Sequence, residues 1–119
     1  MKSYTDLAQS KILAEILPLE SADMYYYTVN GHSEWYKTPN ILENINDIDE
    51  NSIPCWSLAA LLSVLCSNAN DVRLGGTAWY WWCQPLFSDF SKYIDSTGGG
   101  ELVDVCCEII SKLKEENLI

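Results

Sequence analysis

Histidine is nearly missing from this sequence: His32 stands alone, and none of the five cysteines forms a C-x-x-C pair. The spacings that build zinc sites and dithiol redox motifs are therefore absent, and an odd, irregular set of thiols does not read as a disulfide framework. No metal and no cofactor is expected. Basic residues are scarce too, seven against seventeen carboxylates, for a formal charge of −10. Nucleic-acid affinity rests on lysine and arginine neutralising phosphates, so direct nucleic-acid binding is disfavoured, and an anionic membrane repels the chain for the same reason. Long apolar runs are missing as well: the longest, Cys55 to Cys66, is interrupted by Ser57 and Ser63 and is too short to cross a bilayer. Met1 to Asp6 carries no apolar segment after Lys2 and no small-residue cleavage site, unlike a signal peptide. The expectation is a soluble, cytoplasmic protein.

What is present suits one domain over residues 1–119, with 48% apolar and 20% charged residues. Aromatics are plentiful, including Trp35, Trp56, Trp79, Trp81 and Trp82 and seven tyrosines. Leu7, Ala8, Ile12, Leu13, Ile16 and Leu17 recur at helical spacing, which predicts a first helix from about Thr5 to Leu17, stopped by Pro18. Met24 to Val29 and His32 to Lys37 flank Asn30-Gly31, a hairpin signal because a type I′ turn needs positive φ at both central residues. Its register puts Met24, Tyr26 and Trp35 on the face expected to be buried. Thr38 to Asn51 reads as an acidic surface loop with room for one turn or short strand.

A second helix is expected to start at Ser52 or Ile53, with Pro54 in its first turn, and to run to Leu65 as the central buried helix. Thr77 to Gln84 reads as a strand ended by Pro85; in Leu86 to Asp95 the spacing of Phe87, Phe90 and Ile94 fits a helix while Phe90 to Ile94 fits a returning strand, and the strand is the reading preferred. Leu102, Val105, Cys106, Ile109, Ile110 and Leu113 define a third helix over about Glu101 to Asn117. The fold class expected is α+β in the order α-β-β-α-β-β-α, one antiparallel sheet with three helices mainly on one face.

Lys11 to Met24 and Ile53 to Leu65 resemble a family of short uncharacterised proteins encoded in gut Bacteroidetes genomes, their phages and other mobile elements. The resemblance implies a cytoplasmic, accessory role and brings no activity, catalytic residue or ligand with it.

One arrangement resembles nucleophile chemistry: Cys55 in the first turn of the second helix, where the dipole lowers a thiol pKa, with His32 as a base. Against it, Ile53, Pro54 and Trp56 predict an apolar, inert setting, so no catalytic residue is assigned. Thr97-Gly98-Gly99-Gly100 lacks the Lys-Ser/Thr pair of a phosphate loop and reads as a connector. Asp47 and Asp49 lack the spacing of a calcium loop. The remaining candidate is aromatic: alternation puts Trp79 and Trp81 on one strand face and Tyr80 and Trp82 on the other, so Tyr80 or Trp82 with Tyr25 or Tyr36 can form an exposed platform. The function expected is a non-catalytic interaction module with a protein partner or a second copy of itself. A cysteine-dependent enzyme and an acidic nucleic-acid mimic are the alternatives.

Overall fold

Asp6 opens the first helix of the computed structural model, which describes residues 1–28, 38–89 and 91–119. Its carboxylate accepts from the Gln9 N–H at 2.8 Å while the Gln9 side chain accepts from the Asp6 N–H at 3.0 Å, a reciprocal cap that satisfies two orphan donors. Helix α1 (Leu7–Ile16) then ends as expected, with Leu17 extended ahead of Pro18. A single 3-10 turn, Leu19–Ser21, leads into β1 (Met24–Tyr27). Tyr26 is buried, on the side anticipated, whereas the hairpin expected around Asn30-Gly31 lies outside the described residues. The acidic segment holds a two-residue strand β2 (Asn40–Ile41) and one 3-10 turn, Ile45–Asp47.

The expected helical start at Pro54 is overturned. Ser52–Cys55 is strand β3, antiparallel to β1 with Pro54 opposite Tyr25, and β3 is an edge strand among the described residues, where a missing N–H is tolerated. Helix α2 (Leu58–Asn68) begins only after Ser57, whose hydroxyl oxygen accepts from the Ala60 N–H at 3.2 Å. Ser57 is itself held by the Asp23 carboxylate, which accepts from its N–H at 2.8 Å and from its hydroxyl.

Strands β4 (Asp71–Gly76), β5 (Trp81–Leu86) and β6 (Thr97–Gly99) follow, then α3 (Leu102–Glu115). The described residues thus form an α+β fold with two three-stranded antiparallel sheets, β2-β1-β3 and β4-β5-β6, in place of the single sheet expected. Pro85 does not end its strand. The β5 positions at Trp81 to Cys83 pair with β6, which stops there, so the N–H that Pro85 lacks has no acceptor waiting for it. Among the described residues the return strand is the short glycine strand β6; of the expected Phe90 to Ile94, residues 91–94 form no strand and Phe90 lies outside the described residues.

The central helix is α3, not α2. Eight α3 residues are buried, against Leu61, Val64 and Leu65 of α2, because α3 carries large apolar groups on one stripe while α2 presents small residues such as Ala59, Ser63 and Ser67 outward. Helix α3 packs on β5 and β6 and also touches α1 and α2, so the helices do not share one sheet face. No helix among the described residues is long and apolar enough to cross a membrane.

Candidate functional site

The β4–β5 hairpin closes on a two-residue turn, Ala78-Trp79, because Thr77 N–H donates to the Tyr80 carbonyl at 2.7 Å and Gly76 pairs with Trp81. From that register the sheet faces follow by alternation. Trp81, Cys83 and Pro85 point toward α3, with Cys83 and Pro85 fully buried. Trp82, Gln84 and Leu86 point outward, across from Gly75, Arg73 and Asp71.

Glycines make the outward face possible. A Cβ on Gly75 would lie 2.8–2.9 Å from the Nε1, Cε2 and Cζ2 atoms of Trp82, and one on Gly98 would lie 1.8 Å from the Tyr80 hydroxyl oxygen. The two rings therefore fill space that only glycine leaves vacant, one beside each neighbouring strand. Even so they stay open to solvent: Trp82 is 38% exposed, Tyr80 52% and Trp79, at the tip, 87%. No residue from Leu74 to Ser88 carries a charge, so this end of a strongly acidic protein offers ring surface together with neutral polar groups such as indole N–H and phenol O–H. Such a surface can stack and hydrogen-bond.

Tyr80 and Trp82 do share a face, as anticipated. Tyr25 does not join them: it lies half-buried on β1 in the other sheet, 3.4 Å from Asn40 Nδ2 and with its ring 5.9 Å from that of Tyr27. Tyr36 and His32 lie outside the described residues. Trp79, read from the sequence as a strand residue, is instead the most exposed aromatic among the described residues. The signal that finds it is the symmetry of the segment about the Ala78-Trp79 step, with Gly75-Gly76 facing Trp81-Trp82.

Cys55 sits on β3, ahead of the helix whose dipole was to activate it, and is fully buried. Its sulfur lies 3.4 Å from both the hydroxyl and the carbonyl oxygen of Thr5, and burial pushes its thiol up in spite of the Thr5 and Ser10 hydroxyls beside it. Burial likewise pushes Cys107 up to about 12, and a hydrogen bond with Cys83 together with burial raises Cys106. Only Cys66 is exposed. Thr97 to Gly99, read as a connector, is strand β6. Asp47 and Asp49 cap the loop, accepting from the N–H groups of Asn44 at 3.1 Å and Asn51 at 2.8 Å. No group of three or more potential metal ligands gathers among the described residues. Comparison with protein-family models, curated proteins and solved structures finds no match to this chain.

Proposed function

We propose that this chain is a non-catalytic, cytoplasmic interaction module of accessory, mobile-element origin that docks a protein partner through Trp79, Tyr80 and Trp82. The observation that carries the reading is Trp79, 87% exposed at the tip of a two-residue turn. A tight turn holds the ring out at little entropic cost, and tryptophan and tyrosine dominate the energetics of protein interfaces. The burial of Cys55 speaks against the cysteine-enzyme alternative, since a thiol raised by an apolar setting is a poor nucleophile. Selecting a displayed peptide library on the immobilised protein tests the proposal. Enriched peptides are expected to lose at least about tenfold in affinity for a Trp79→Ser/Tyr80→Ser variant that keeps its fold, on the scale of one interface hot spot. Equal affinity for both proteins, or no enrichment, would sink it.

A further inference from the structure

Among the described residues strand β4 is an edge of its sheet, and its ladder decides which backbone groups face away from β5. The Thr77 to Tyr80 hydrogen bond fixes the alternation: Gly75 with Trp82 and Arg73 with Gln84 are the bonded pairs, so Val72 and Leu74 turn their N–H and C=O outward. The Val72 N–H accordingly donates to the carboxylate of its own neighbour, Asp71 Oδ1, at 3.0 Å. Unpaired edges of this kind are templates for another strand.

The charges on that edge are unusual for this chain. Between Asn51 and Ser88 only Asp71 and Arg73 are charged, so this stretch is neutral while the net −10 resides elsewhere. Asp71 and Arg73 flank Val72 on one face, with side chains 62% and 69% exposed, and their closest approach, 3.7 Å from Nε to Oδ2, is too long for a hydrogen bond. A positive and a negative residue two apart on a strand are self-complementary about the residue between them, which is the requirement of an interface with twofold symmetry.

We infer that a second copy of this chain adds antiparallel to β4, with Val72 facing Val72 of the copy and each Asp71 facing the other copy's Arg73. The two Val72 residues then exchange N–H and C=O, and the Asp71 carboxylate gives up the Val72 N–H to meet the guanidinium across the axis. The non-bonded register places those side chains closest, where opposite charges stabilise a strand pair and like charges oppose it. Two acidic chains can approach here because the edge itself carries no excess of carboxylate. Pairing joins the two β4-β5-β6 sheets into one of six strands and leaves Ala78 and Trp79 outside the paired stretch, so the inference does not depend on the aromatic tip.

Sedimentation at low ionic strength tests it, with circular dichroism to verify folding. The wild-type chain is expected to double its mass with concentration. Asp71→Arg alone and Arg73→Asp alone each place like charges opposite one another and are expected to stay monomeric, whereas an equimolar mixture of the two pairs as a heterodimer. The double exchange D71R/R73D restores complementarity and is expected to dimerise like the wild type, while Trp79→Ser leaves dimerisation unchanged. A monomeric wild type, single variants that dimerise as readily as the wild type, a mixture or double exchange that stays monomeric, or loss of the dimer in Trp79→Ser would each overturn it. The last of these moves self-association to the aromatic tip.

Discussion

Around Trp56 every polar group has an answer from elsewhere in the chain. The indole N–H donates to Ser21 Oγ at 2.9 Å, the backbone N–H to Thr5 Oγ1 at 3.1 Å, and the carbonyl accepts from the Thr5 N–H at 2.9 Å. Thr5 also meets Ser10 Oγ at 2.8 Å, and its carbonyl accepts from the Tyr26 hydroxyl at 2.8 Å. At the β4–β5 hairpin an equally aromatic segment has one covered face and one bare one, where Trp82 lies between Gly75 and Gly98 of the flanking strands. The difference shows that aromatic content does not decide burial. Trp56 is closed because segments distant in sequence, at Thr5 and Ser21, converge on it while Asp23 holds the adjacent Ser57, whereas Trp79, Tyr80 and Trp82 stay open to solvent on the hairpin.

The widest contrast is in thiol chemistry, which asks whether the hairpin is open on one face or both. Cys66 is expected to react at once, while Cys55, Cys83, Cys106 and Cys107 wait for unfolding and react at least about a thousandfold more slowly, the protection that an ordinary unfolding equilibrium gives. Fast labelling of Cys83 would mean that the inner face of β5 is as open as the outer one.

Trp56→Ala should cost ~3–5 kcal/mol in urea denaturation, as for a buried tryptophan, and Trp79→Ala should stay within about 0.5 kcal/mol. Comparable losses at the two sites would abolish the distinction between a closed junction and an open tip.

Within the hairpin the glycines separate support from display. Gly75→Ala pushes on the fused ring atoms of Trp82 and is expected to lower stability by ~1–3 kcal/mol. Gly98→Ala meets the far end of a Tyr80 side chain that can swing into solvent, so the loss should be under about 1 kcal/mol, with an altered tyrosine environment in NMR. Equal losses would show that Tyr80 is held as firmly as Trp82.

The smallest effect is ionic and belongs to the closed region, where Lys2 Nζ lies 3.0 Å from Asp6 and 2.7 Å from Asp104. Burial pushes the Asp104 carboxyl up, but hydrogen bonds from Lys2 and Gln9 and the Lys2 charge outweigh it, so its pKa ends below the usual value; Asp6 follows with Gln9 and Lys2. A depressed carboxylate contributes stability above its unfolded pKa of about 3.9 and loses it as the pH falls through the lower folded value. Asp104→Asn should therefore destabilise by less than about 1 kcal/mol at pH 7, a difference that closes below about pH 4 in acid titrations of both proteins. A difference that persists at pH 2 would assign the effect to packing.

The sequence by itself determined the features that depend on neighbours in the chain. Helical periodicity with Pro18 and the run Leu102 to Leu113 located α1 and α3, alternation located Tyr26 inside, and cysteine and histidine spacing excluded the familiar metal motifs, because each is a matter of a few consecutive residues. Only the tertiary structure decided the rest. Ile53-Pro54-Cys55 suits either a helical first turn or an edge strand, and it became β3 because β1 supplied a partner along its whole length. Pro85 reads as a strand end until β6 proves too short to need its N–H. The run Trp79 to Trp82 is four aromatics in a row, and a hairpin register centred on Ala78 and Trp79 put one ring at the tip, one toward α3, and the other two beside glycines 75 and 98, residues on strands brought together only by folding.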